Sequence, residues 1–424
     1  MFSLKPNLQI PPHNCPICHS MLTAQGFLIN GMRNLADFHC QQCQNEFYGD
    51  LPAGQALFTP ILLDKNSGAV YGGEDAQWFA DWLADAYQNR SNEKIGFKTL
   101  KFSEAEKKVV VLNCLDVLYG HSLLKLLNAQ HYLNNQPAVS LILIIPPFLE
   151  WLLPEGVCEA WIIDLPLRRG TEWNDFLVNK INEKLEKFSE VYLSVAFSHP
   201  HSEDFDIERF SRVKPFLLED FGKYRERQVV TFIWREDRLW ETSENSARLH
   251  KLKRKFGVSE ETSDQTANVI RFAELLRGKF PQIDFAVVGL GKNGGLPEWI
   301  LDSRLTGLNV ESEKLWCERY AKSHIVVGVH GSNMLLPTAH AGAFIELIGE
   351  DRQGNFLQDI LFRQTDVREM FFRNRFVSLS TTPENLAQTA VSMLHFEDFR
   401  RLMSPEFARH HENYDFEKWL MKAH

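Results

Sequence analysis

The stretch Ser323-His-Ile-Val-Val-Gly-Val-His-Gly-Ser-Asn-Met-Leu-Leu-Pro-Thr-Ala-His-Ala-Gly-Ala-Phe-Ile-Glu-Leu-Ile-Gly349 decides the fold. It reads as an apolar, β-branched strand containing Gly328, then a polar turn of small residues, His330-Gly331-Ser332-Asn333. A helix-like run follows, and then a second buried strand with one acidic residue, Glu346. A turn at the carboxyl end of a parallel strand exposes backbone N–H groups, and a helix start adds the positive end of its dipole, so a pyrophosphate can rest there. An acidic side chain just past the turn can accept hydrogen bonds from a ribose. The pattern predicts an α/β nucleotide site with His330, Gly331, Ser332 and Asn333 as its phosphate cradle and Glu346 as its ribose acceptor.

The same alternation extends to both sides. Strands are expected over Gln228–Trp234, Asp284–Gly289, Ile325–Val329 and Phe344–Ile348, with helices over Thr266–Gly278 and Glu311–Ser323. Nearer the amino end, strands are expected over Val109–Asn113, Ser140–Ile145, Ala160–Asp164 and Val191–Phe197. Helices are expected there over His121–Leu133, Phe148–Leu153 and Trp173–Phe188. The polar segment His199–Lys223 separates the two halves, which implies an α/β chain of two facing Rossmann-like domains at 57–222 and 223–394. A hairpin and a helix from Glu74 to Tyr87 open the first half, followed by a charged linker from Asn89 to Lys108. An aromatic-rich helical tail, 395–424, is expected to pack back across that half. With 424 residues, 44% of them hydrophobic, the chain is too long for one compact core, and two domains imply a cleft between them.

Four of the seven cysteines form a pattern. Cys15-Pro-Ile-Cys18 and Cys40-Gln-Gln-Cys43 are two C-x-x-C knuckles, spaced as in a four-cysteine zinc ribbon. Two-residue spacing lets both thiolates of a knuckle point at one metal, and a tetrahedral site needs two knuckles. A structural Zn2+ held by Cys15, Cys18, Cys40 and Cys43 is therefore expected in a ribbon over 1–56. Four thiolates close the coordination shell, so this metal stabilises a module and activates no water. His13, His19 and His39 read as bystanders, and Cys114, Cys158 and Cys317 as core residues.

Composition excludes several classes. A net charge of −9 argues against a nucleic-acid partner or a general anionic-membrane surface. The most apolar run, Leu141–Leu149, is short and contains Pro146 and Pro147, so no transmembrane segment is expected. The amino end lacks the apolar core of a signal peptide, which makes a cytoplasmic location the expectation.

The carboxyl half resembles the donor domain of GT-B glycosyltransferases. The resemblance rests on a strand ending at Arg235, the strand Phe285-Ala286-Val287-Val288-Gly289, a Leu-Thr-Gly-Leu segment at Leu305–Leu308, and the strand leading into His330-Gly331-Ser332. The His-Gly-small turn followed by Ala-Gly-Ala-Phe-Ile-Glu-Leu is similar to the inverting xylosyl- and N-acetylglucosaminyltransferase family, and more distantly to heptosyltransferases. The helix after the turn is shorter than in the first family, and His330 stands where an acidic residue is usual in the second.

The resemblance implies transfer of a sugar from a nucleotide-sugar donor to a glycan or other hydroxyl acceptor, inverting and independent of metal. It also implies peripheral association with glycan-assembly machinery. A leaving diphosphate then needs cationic groups, and Arg235 is the first choice because a guanidinium grips phosphate oxygens in pairs. Gly289 and Gly291 would form a flexible turn near the base or sugar. An inverting transfer also needs a general base. Asp116 and His121, in the loop after Val109–Asn113, are the candidates, with His199 and His201 as a second set; together with Glu203, Asp204 and Asp206 that set also reads as a metal cluster or a D-x-D metal motif. Arg168 and Arg169 face solvent or an anionic acceptor. Two other classes stay open: a zinc-ribbon-headed methyltransferase with Gly289-x-Gly291 cradling a methionine carboxylate, and a non-catalytic nucleotide-binding scaffold.

Overall fold

The computed structural model describes residues 4–6, 13–52, 60–135, 140–196, 200, 205–221, 227–242, 263–307, 309–361, 363 and 373–395. The chain forms two compact units, Met1–Arg212 and Val213–His424.

In the first unit, β1 (Leu4–Pro6) is followed by an antiparallel sheet of β2 (Thr23–Asn30), β3 (Arg33–His39), β4 (Glu46–Asp50), β5 (Ile61–Asp64) and β6 (Val70–Gly72), paired in that order. The helix Gln77–Gln88 buries Phe79, Ala80 and Leu83, one helical stripe, against Leu35, Ile61 and Leu63 of this sheet. The sheet thus runs past position 56, where a separate ribbon was expected to end. Nor is its packing separate: Cys15, Phe38 and Phe47 share one buried cluster with Val109, Ile142 and Trp161.

Then come β7 (Gly96–Lys101), β8 (Lys108–Asn113), β9 (Ser140–Ile145), β10 (Glu159–Asp164) and β11 (Glu190–Ser194). The second sheet has the order β1-β11-β8-β9-β10-β7, parallel throughout except for β7 against β10. Strand β7 lies inside the stretch expected to be a linker. Its polar residues suit an edge strand, which needs only one apolar face. The central strands are buried on both faces, as parallel strands are when helices cover them. The helix expected over His121–Leu133 is divided at Asn128, whose Nδ2 donates to the carbonyls of Leu124 and Lys125 and competes with the helical ladder. The segment Pro147–Leu152 forms a 3₁₀ turn, not an α-helix. The strand order reverses between β8 and β11, and the residues leaving β8 at that point are Cys114, Leu115 and Asp116.

The second unit contains β12 (Val229–Trp234), β13 (Asp284–Leu290), β14 (Leu301–Leu305), β15 (Ile325–Val329), β16 (Ala343–Ile348) and β17 (Asn374–Ser378). All neighbours are parallel in the order β14-β13-β12-β15-β16-β17, which is 3-2-1-4-5-6 counted along the chain. That is the doubly wound dinucleotide-binding order. Phe272 and Leu276 of the helix Ser263–Lys279 share a core with Leu386, Ala390 and Met393 of the helix Pro383–Leu394. The reversal point lies between β12 and β15, so Arg235 and His330 leave neighbouring strands at the place where an open α/β sheet binds its ligand. Among the described residues, no helix is long and apolar enough to cross a membrane.

Candidate functional site

The turn after β15 is held to the sheet by the His330 N–H, which donates to the Leu347 carbonyl at 2.9 Å. Gly331 has φ of 147°, and a Cβ there would collide with Nη1 of Arg235. Glycine at this position is therefore what lets the guanidinium approach the backbone. Arg235 Nη1 donates to the His330 carbonyl at 3.1 Å and to Asn333 Oδ1 at 2.8 Å, while Nε and Nη2 grip Asp237 at 2.7 and 2.5 Å. Arg238 Nη1 donates to the same His330 carbonyl at 3.1 Å. Register places Glu346 of β16 beside Gly328 of β15, and its Oε2 lies 2.5 Å from Nδ1 of His330. On the other edge of the ring, Nε2 stands 3.8 Å from Asp359 Oδ2.

Both members of the buried pair are pushed toward their uncharged forms. Burial raises the Glu346 carboxyl well above its ordinary range; Asp359 acts in the same sense and Arg235 against it. Burial also lowers the His330 imidazole, and the charges of Arg238, Arg352 and Arg235 add to that while Asp359 opposes it. Four buried polar atoms gather here without a hydrogen-bond partner among the described residues: His330 Nε2, Asn333 Nδ2, Glu346 Oε1 and Arg352 Nε. An orphaned buried polar atom costs about 1–3 kcal/mol, so these call for a partner such as an ordered water or a polar ligand.

The structure alters several expectations. The helix beyond the turn is only Leu335–His340, wholly buried and preceded by a 3₁₀ turn, so there is no long helix dipole aimed at an anion. The positive charge comes instead from Arg235, Arg238 and Arg352. Glu346, expected to reach a ribose, is 0% exposed and turned onto His330. Arg235 does meet the turn but is also paired with Asp237. Gly289 and Gly291, expected as a mobile loop near a base or sugar, are both buried, and a Cβ on either would run into Trp234. They are packing glycines. Arg238, Arg352 and Asp359 escaped sequence reasoning. Arg238 lies three residues beyond Arg235, a weak signal, whereas Arg352 and Asp359 belong to a polar segment with no motif.

In the first unit, Asp116 Oδ2 is 2.8 Å from Lys125 Nζ, and Oδ1 is 3.3 Å from His121 Nδ1. Lys125 is 1% exposed and also donates to the Leu115 carbonyl at 2.9 Å. Burial pushes the Asp116 carboxyl up, but the charge of Lys125 and the contact with His121 outweigh it and leave the pKa at about 2. A carboxylate so acidic and enclosed is a poor base. It is well placed to orient the His121 imidazole, whose side chain keeps 13% of its surface exposed.

Arg169 is tied to Glu93 and Glu172, and Asp206 caps the helix Ile207–Ser211. His199, His201, Glu203, Asp204, Leu308, the first residues of the expected hairpin and the tail beyond His395 lie outside the described residues.

The thiol sulfurs of Cys15, Cys18, Cys40 and Cys43 all lie within 4.8 Å of one another. Sγ of Cys15 is 3.5 Å from that of Cys43, and Sγ of Cys18 is 3.4 Å from that of Cys40. The two knuckles repeat one backbone pattern. Cys15 N–H donates to Ser20 and His19 N–H to Cys15; Cys40 N–H donates to Asn45 and Gln44 N–H to Cys40. His19 and Gln44 hold matching positive φ values of 60° and 61°. Sulfurs around one zinc at about 2.3 Å stand roughly 3.8 Å apart, so this four-cysteine cluster could hold such an ion.

No family model matches the chain, and no curated protein matches it. A solved structure, that of E. coli ADP-heptose lps heptosyltransferase II, is similar over 69% of this chain and 99% of that chain, with a TM-score of 0.37 and 12% sequence identity. A likeness this distant assigns neither fold nor chemistry.

Proposed function

We propose that the protein is a glycosyltransferase whose second unit binds a nucleotide-sugar donor through its diphosphate. The observation that carries this reading is the clustering of Arg235, Arg238, His330 and Asn333 where the order of an all-parallel 3-2-1-4-5-6 sheet reverses, with orphaned polar atoms among them. Guanidinium groups and the amide of Asn333 supply donors for phosphate oxygens, in place of a metal. His121 is assigned as the base that takes the acceptor hydroxyl proton, with Asp116 as its positioning residue. Inversion, a glycan or other hydroxyl acceptor, cytoplasmic location and peripheral association with glycan-assembly machinery belong to the same proposal. The cysteine cluster is assigned a structural Zn2+, which when bound would brace the antiparallel sheet against the first unit's core.

The test is a panel of UDP-, GDP-, ADP- and CMP-linked sugars, followed by melting temperature and by release of free nucleotide. A ligand that binds only the folded chain raises its melting temperature. One nucleotide sugar should raise the melt and be turned over when an acceptor is supplied. A panel that moves neither readout sinks the assignment.

A further inference from the structure

Resting on that reading of the second unit, we propose that a diphosphate is bound only by the form of the His330–Glu346 pair that carries two protons, so that affinity is lost as pH rises. At 2.5 Å, one hydrogen must lie between Nδ1 and Oε2. If that is the pair's only proton, Nε2 is a bare lone pair and repels a phosphate oxygen. A second proton puts N–H on Nε2, whether the pair is then imidazolium with carboxylate or imidazole with carboxylic acid.

The surroundings single out this nitrogen. Nε2 is buried and has no hydrogen-bond partner among the described residues, and Asp359 approaches it only to 3.8 Å, beyond hydrogen-bond reach. The charged groups facing the ring are Asp359, Arg235, Arg238 and Arg352, with Asp237 bound to Arg235. The guanidinium groups stay charged at every working pH, and the proposed titration is that of the pair. Burial favours its neutral, two-proton state. A bound anion stabilises the added proton and raises the pair's pKa in the complex. Affinity is thus complete below the pKa of the free protein and declines as pH climbs through that of the complex, about tenfold per pH unit for one proton.

The experiment titrates the full chain and its Glu346→Gln variant with UDP-, GDP- and ADP-glucose from about pH 6 to pH 9, where the diphosphate of a nucleotide sugar does not itself titrate. In the wild-type protein affinity should decline about tenfold per pH unit at the alkaline end. In Glu346→Gln the amide can donate permanently to Nδ1, which keeps the hydrogen on Nε2, and affinity should stay level. Equal slopes in the two proteins, or no slope in the wild type, overturn the inference. If the variant does not fold, ¹⁵N-histidine NMR of the wild-type complex decides: a protonated Nε2 in His330 supports the inference, and a bare one ends it. Failure of every nucleotide sugar to bind either protein at any pH removes the reading of the site, and this inference with it.

Discussion

Glu346 Oε2 and His330 Nδ1 stand 2.5 Å apart, with the two residues 0% and 2% exposed. The contact follows from sheet geometry: β15 and β16 are parallel neighbours, and their register brings the one acidic residue of β16 alongside Gly328, two residues before His330. The carboxyl fixes the ring, and the backbone carbonyl of His330 accepts from Arg235 and Arg238. Buried polar contacts of this kind are costly to break because the partner left behind cannot return to water.

His330→Ala should therefore have two separable effects. Loss of the ring leaves Glu346 buried without its partner, at about 1–3 kcal/mol of stability measured by urea unfolding. It also removes the centre of the proposed phosphate site, so nucleotide-sugar binding measured by calorimetry should disappear in a protein that still folds. Unchanged affinity would detach His330 from the ligand.

Gly331→Ala probes the same turn through its backbone. The φ of 147° is strained for an L side chain, and the added Cβ occupies the space of Arg235 Nη1. Arg235 should swing off the His330 carbonyl and Asn333, weakening nucleotide-sugar binding by tenfold or more while the metal content stays unchanged. A variant that binds as well as the wild type would show that Arg235 need not touch the turn.

Much of this site was legible along the chain, for identifiable reasons. Strands buried on both faces, such as Ile325–Val329, are continuous apolar runs, so their positions and the polar turn at His330 stand out. The knuckle cysteines were legible because metal spacing is local in sequence. What was not legible depended on packing between distant segments. Gly291 reads as a loop glycine until Trp234 fills the space beside it, and Glu346 reads as a ligand contact until the β15–β16 register turns it inward. The limit of the antiparallel sheet was hidden for the same reason. Its last strands, Ile61–Asp64 and Val70–Gly72, belong with the knuckles only through pairing and the core in which Leu62 and Tyr71 meet Cys15 and Cys40.

Cys18→Ser replaces one of four clustered sulfurs with a much poorer zinc ligand. Metal content should fall, and because Cys15 and Phe47 lie in one buried cluster with Val109 and Trp161, the loss should lower the melting temperature of the first unit's sheet rather than free a small appendage. Metal analysis and thermal unfolding, with and without chelator, check both parts. A variant with full zinc and an unshifted melt would show that the cysteines are not ligands.

Asp116 links acid stability to the orientation of His121. Its folded-state pKa of about 2 is depressed from 3.8, so its contribution of about 2 kcal/mol is complete above the unfolded value and is lost as pH falls through about 2. Asp116→Asn should remove that acid-dependent component and, by leaving the 1%-exposed Lys125 charge unpaired, cost about 3–5 kcal/mol at neutral pH. Urea unfolding across the acid range separates the two. The Asp116→Asn, Lys125→Met double variant should recover much of the neutral-pH loss, because it no longer buries an uncompensated charge. If stability returns but transfer does not, Asp116 acts on His121; if both return together, its part is confined to holding the fold.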